Sequence, residues 1–322
     1  MVAAKGLALG LSLALAEGDR TPYLLFLAQE EIDRLVALCE THWTALLETA
    51  RQTAADQAAD QGGADSAGRS ERQAGPRTRR RQTESSADAK LAAQLRPVFT
   101  AALDGARAVD LALFGRMVAD RPEVGVDAAC QVAHAISTHA VPPEFDFYTA
   151  VDDLQPREEP GAGMMGTLEF NAACFYRYAN VDTTQLLANL KGDHALARQA
   201  LAAFIGASVR AVPSGKQNSM AAYHPPALVL VRVQRAAWPW NLANAFVRPA
   251  RPSDQEDLTT ASIRQLFTHL RRLEAVYGHD GRVYQGFVSL EEAAWQPYEG
   301  DRVATLAELV AAAVDHAVPE SV

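Results

Sequence analysis

His134 and His139 stand five residues apart in the run His-Ala-Ile-Ser-Thr-His. On the helix predicted over 126–140, that spacing turns the second ring about 140 degrees from the first, whereas two ligands on one helix face need a separation of four. No metal pair is expected there. Asp152 and Asp153, with Glu144 and Asp146 nearby, are the carboxylates of a conceivable metal-dependent nuclease centre. Adjacent acids on an extended segment point apart, so turn capping and solubility are the favoured reading. Gly161-Ala162-Gly163-Met164-Met165-Gly166 matches GxGxxG. A dinucleotide site, however, needs a strand before that motif and a helix after it, and here a Pro- and Glu-rich loop precedes and a strand follows. The chain has neither GxSxG nor a Walker A sequence, so enzymatic chemistry has no strong foothold.

Binding offers more. Phe145, Phe147 and Tyr148, with Met117, Met164 and Met165, are the flat and pliable apolar side chains that wedge between stacked bases without regard to sequence, although such groups more often build a core. The turn Pro213-Ser214-Gly215-Lys216-Gln217 can present backbone amides and one ammonium to a phosphate. Arg77, Arg79, Arg80 and Arg81 form a basic cluster inside a low-complexity stretch, where such clusters are more often solvated than bound.

These residues need elements to hold them. Leu24, Leu27, Ile32, Leu35, Leu38, Cys39, Trp43 and Leu46 recur at helical spacing, predicting an amphipathic helix of about 25 residues. From 51 to 86 no aliphatic side chain larger than Ala occurs, too little apolar area to repay ordering, which predicts a mobile insertion. A helix is expected over 87–104, a strand over 108–113, and a protruding, turn-edged insertion over 118–166. Residues 167–178 alternate with period two, predicting one strand with Phe170, Ala172, Cys174, Tyr176 and Tyr178 on one face. Asp182 is placed to cap a helix that resumes beyond Gly192. A strand over 227–233, a helix over 262–277, a strand over 283–288 and a helix over 306–317 complete an α+β chain without βαβ repeats.

The 322 residues allow one large or two modest domains, and 48% hydrophobic with 21% charged residues excludes a wholly disordered or fibrous protein. A net charge of -9 argues at face value against a nucleic-acid partner. By region the sign changes: residues 167–235 carry seven basic and three acidic side chains, and residues 61–90 carry seven and four. An acidic exterior around a locally basic groove therefore remains open. Cys39, Cys130 and Cys174 are too scattered for a disulfide framework or a CxxC metal site. The apolar run Gly6 to Ala16 imitates a signal peptide but reads as core, and no run is long enough to span a bilayer, so a cytoplasmic location is expected.

Several stretches together carry a family likeness. They are 109–117 (Val-Asp-Leu-Ala-Leu-Phe-Gly-Arg-Met), 133–139 (Ala-His-Ala-Ile-Ser-Thr-His), 147–154 (Phe-Tyr-Thr-Ala-Val-Asp-Asp-Leu), 166–170, 175–180, 212–217 and 244–246. In this order, from about residue 21 onward, the chain resembles the CasC backbone subunit of type I-E CRISPR Cascade, an antiviral ribonucleoprotein complex. The resemblance implies an RRM-like (ferredoxin-like) palm with helical fingers and an inserted thumb. Residues 1–116 would form the fingers and first part of the palm, 117–166 the thumb, and 167–322 the remaining palm. It also implies a non-catalytic, cofactor-free and metal-free subunit that polymerises head to tail along a CRISPR RNA and presents it to target DNA beside other Cascade subunits.

Carried over by position, Met117 and Met165 flank a kinked guide nucleotide, Phe147, Tyr148 and Val151 form the thumb wedge, and Lys216 and Gln217 lie near the guide backbone. Family members open with a palm strand and a basic, Ser-rich segment, and this chain shows neither, so a palm lacking its N-terminal strand is expected. The alternative activity is a metal-dependent RNase like that of type III backbone relatives, using Asp152 or Asp153.

Overall fold

The structure, a computed structural model, describes residues 24–48, 86–105, 108–118, 121–150, 164–235, 238–279, 281–292, 295, 298 and 301–319. The Gly6 to Ala16 run, the insertion with its arginines, Val151, Asp152, Asp153 and Gly161 to Gly163 lie outside the described residues. Two compact units emerge, Met1–Ala129 with Asp182–Leu196, and Cys130–Val181 with Ala197–Val322.

In the first unit, α1 (Gln29–Thr41) begins where Glu31 reaches back to accept the Ala28 amide at 3.0 Å, satisfying a donor the helix cannot. Its inward face carries Glu31, Leu35 and Cys39, and helix resumes over 43–48 after a break at His42. Leu35, Cys39 and Leu46 pack against Leu95, Phe99 and Ala102 of α2 (Ser86–Ala102), with Leu103, Val118 and Val124 closing the cluster. The helical periodicity of both segments agrees from Gln29 onward; Leu24 and Leu27 precede the helix, and the single helix of about 25 residues is two.

Residues 108–113 are not a strand: α3 (Val109–Phe114) is helical. A short apolar run does not separate the two by period. Here Asp110 sits at the positive N-terminal end, and Gly115, at φ 77°, closes the helix by donating its amide to Leu111 O.

Among the described residues, the second unit holds four two-stranded antiparallel pairs. The segment 126–140 is not helical either. It supplies β1 (Cys130–Val132) and β2 (Ile136–Ser137), while β3 (Glu144–Ala150) pairs along its length with β4 (Met164–Phe170). Strand β2 pairs with β5 (Phe175–Tyr176) and β1 with β6 (Ala179–Val181). Pairing with a distant segment overrides the local period, which the β-branched Val132, Ile136 and Thr138 favour. The predicted strand over 167–178 breaks at 171–174, because β4 and β5 have different partners. Its single continuous face therefore does not exist.

In the first unit again, α4 (Thr183–Asn189) is capped as its sequence predicts, Asp182 accepting from the amides of Thr184 and Gln185. Helix α5 (His194–Arg210) leads back into the second unit, which continues with α6 (Gln217–Met220), β7 (Leu228–Gln234), α7 (Leu258–Tyr277), β8 (Arg282–Ser289) and α8 (Leu306–Ala317). Strands β7 and β8 pair antiparallel. On β8 alternate residues face opposite ways: Phe287 meets Phe267 of α7 at 5.1 Å between ring centres, while Tyr284 stacks on His316 of α8 at 4.7 Å. The observed architecture is α+β, as expected.

Candidate nucleic-acid interface

The hairpin of β3 and β4 carries the aromatic patch. Its register sets Phe147 opposite Thr167, Tyr148 opposite Gly166 and Thr149 opposite Met165. Successive strand residues point to opposite faces, so Phe145 and Phe147 share one face with the register positions of Thr167, Glu169 and Met165. Tyr148 lies on the other face with Asp146, Leu168 and Phe170. The sequence grouped Phe147 and Tyr148, whereas the pleat separates them. Phe145 and Phe147 are 63% and 64% exposed and Tyr148 41%. Tyr148 lies against Gly166: a Cβ placed there would come within 2.5 Å of its hydroxyl oxygen. Of Met164 and Met165 only the strand positions are described.

The second component is the turn before α6. Lys216 sits at φ 56° in the left-handed region, exposed, with Gly215 before it. Its ammonium lies 5.9 Å from the centre of the Phe170 ring at the end of β4, a cation–π distance that ties the turn to the base of the hairpin. Gln217 ties the turn to the segment after α6, Nε2 donating to Pro213 O at 2.7 Å and Oε1 accepting the Ala222 amide at 3.0 Å.

Arg177, between β5 and β6, donates to Ala211 O at 2.7 Å and Val209 O at 3.3 Å, satisfying carbonyls left open at the end of α5. Neither Phe170 nor Arg177 stood among the candidate site residues of the sequence. The aromatic alternation of 170–178 and an arginine between two tyrosines were the available signals.

Farther along the same unit, the Tyr176 hydroxyl donates to Asn241 Oδ1 at 3.1 Å and accepts from the Leu242 amide at 2.9 Å. Burial pushes this phenol up to about 12. Its ring meets Phe246 at 5.7 Å, so the 175–180 and 244–246 stretches stand together.

Met117 belongs to the first unit, where it is 87% exposed. His139, half-buried, accepts the Cys174 amide on Nε2 at 3.3 Å while its Nδ1 lies 2.9 Å from Ala140 O. That arrangement puts the proton on Nδ1 and uses both nitrogens in holding the backbone. His134 is exposed on the loop between β1 and β2. The helical geometry assumed for the pair does not apply. Among the described residues no group of three or more His, Cys, Asp or Glu could hold a metal ion, and no helix is long and apolar enough to cross a membrane.

Residues 2–312 match the family model Cas_CT1975, described as CT1975-like protein. The chain belongs to this CT1975-like family. No curated protein matches it. Among solved structures, this CT1975-like chain is similar to a chain of a "CRISPR RNA-guided surveillance complex, pre-nicking", with 29% identity, a TM-score of 0.73, and coverage of 98% of this chain and 77% of that one. It is also similar to a chain of a "CRISPR RNA-guided surveillance complex", with 38% identity, a TM-score of 0.57, and coverage of 64% of this chain and 77% of that one.

Proposed function

We propose that the chain is a non-catalytic CRISPR RNA-binding backbone subunit of a Cascade complex of type I-E, corresponding to CasC. In this reading it polymerises head to tail along the guide and presents it to target DNA beside other Cascade subunits in the cytoplasm. The observation that carries the reading is the hairpin holding Phe145 and Phe147 out to solvent on one face, its base joined to an exposed Lys216 through Phe170. Exposed flat rings on one face of a hairpin and a cation at its base on the other suit a single strand that wraps the hairpin, because every base has a π-face and every nucleotide a phosphate. The similar chains in RNA-guided complexes favour RNA as that strand.

The roles divide along the pleat. Phe147 is the wedge, with Phe145 exposed on its face; Val151 and Met165, and Met117 in the other unit by itself, are further apolar contacts to the guide. Tyr148 lies against Gly166 and locks the hairpin. Lys216 meets a phosphate, and Gln217 holds the turn that presents it. A palm of RRM-like type with fingers and thumb fits the same reading. The guide is held without being cut, so no metal or cofactor takes part.

Phe147→Ala in the assembled complex tests this. Guide-dependent binding of target DNA should weaken about tenfold with the subunit still folded, the range expected for losing one aromatic stacking contact of about 1–3 kcal/mol. Unchanged affinity would overturn the wedge assignment.

A further inference from the structure

Met117 is the most exposed large apolar side chain among the described residues, yet its neighbours on both sides are buried, Arg116 at 4% and Val118 at 3%. The chain here forms a one-residue spike. Its base is a buried ion pair: Arg116 Nη1 meets Glu31 Oε2 at 2.7 Å, the two side chains being 1% and 0% exposed. The guanidinium also donates from Nε to Val124 O at 3.0 Å, from Nη2 to Leu103 O at 3.1 Å and from Nη1 to Phe26 O at 3.3 Å. Glu31 in turn accepts the amides of Ala28 and Gly105, each at 3.0 Å. The backbone of Arg116 exchanges two hydrogen bonds with Val126, at 2.8 and 2.9 Å. A Cβ at Gly115 would come within 2.8 Å of Val126 O.

Burying two charges costs several kcal/mol per ion before their attraction repays it, and apolar residues of similar volume often serve stability as well. What apolar residues cannot supply is a planar fork fixed to four segments at once. We propose that the Arg116–Glu31 pair is a positioning device that holds Met117 rigidly outward as a fixed wedge against a guide base. It rests on the reading of Met117 as an RNA contact, and deepens it by naming the residues that aim the side chain.

The test compares Met117→Ala, Arg116→Lys and the double variant in the assembled complex, with a guide carrying 2-aminopurine at the unstacked nucleotide. Lysine keeps the charge, but its single ammonium cannot reach all four acceptors. Met117→Ala should weaken guide affinity about tenfold and dim the fluorophore as its base restacks. Arg116→Lys should do the same, and the double variant should lose no more than either single one, the signature of two residues acting through one contact. Circular dichroism establishes folding. If the lysine variant does not fold, Glu31→Met with Arg116→Met, which removes both charges together, takes its place with the same expectation.

Full affinity and full fluorescence in a folded Arg116 variant, with Met117→Ala impaired, would overturn the positioning role alone. Losses that add in the double variant would do so too. Full affinity in Met117→Ala would overturn the RNA contact itself and the inference with it.

Discussion

The phenol of Tyr148 lies against the backbone of its cross-strand partner Gly166, so closely that an added Cβ would come within 2.7 Å of its Cζ. This pairing keeps Tyr148 on the face opposite Phe147 and gives the two neighbours different work. The Tyr148 ring end can swing aside, so Gly166→Ala should loosen the hairpin without unfolding the unit. Faster amide exchange over 144–150, at an unchanged global melting temperature, is the expected outcome. Unchanged exchange would mean that the contact contributes nothing.

Gly286 is the stricter case. A Cβ there would overlap the Tyr284 hydroxyl and reach 3.0 Å from Leu309 Cδ1. Tyr284 is stacked on His316 and Leu309 is wholly buried, so neither yields easily. Gly286→Ala should destabilise the protein by about 1–3 kcal/mol, read from urea unfolding, by pushing α8 off the sheet.

Alkaline pH should weaken the fold. Burial raises the Tyr176 phenol from 10.0 to about 12, and the phenols of Tyr284 and Tyr298 move the same way. A raised folded value leaves stability intact below pH 10. Stability is then lost as pH climbs from 10 toward 12, because the unfolded chain releases its proton first, at most about 1.4 kcal/mol per pH unit for each such group. Urea midpoints at about pH 8, 10 and 11 should fall most at the last step, and Tyr176→Phe should fall less steeply there. A wild-type midpoint level through pH 11 would contradict this.

Lys216→Ala should lower RNA affinity at low salt and reduce the slope of log affinity against log salt by about 0.7, the share of one phosphate contact on a single strand. Phe170→Ala should weaken binding less and leave the slope unchanged, since it removes only the ring beneath the ammonium.

Elements with a strong period were legible in the sequence. Helix α8 falls over 306–317 as its apolar spacing demands, and Asp182 caps α4 as an aspartate before two threonines should. Short runs misled. Residues 108–113 and 126–140 have compositions that suit either structure, and only the Asp110 to Gly115 ends of one and the distant β5 and β6 partners of the other decide. The candidate site was half legible: the aromatic run and the Lys216 turn stand out as types. The Phe170 contact with Lys216 and the Arg116 bond to Glu31 join residues far apart in the chain, which local spacing cannot reveal.

In the proposed function this chain holds guide RNA without cutting it. Mixing the purified protein with labelled guide-length single-stranded RNA and magnesium or manganese, then resolving bound and free RNA beside a denaturing gel, tests both halves at once. The expected result is a shifted ladder of successive occupancies with every RNA molecule intact. RNA that remains unshifted at low salt, or shortened products that vanish with Asp152→Ala and Asp153→Ala, would contradict it.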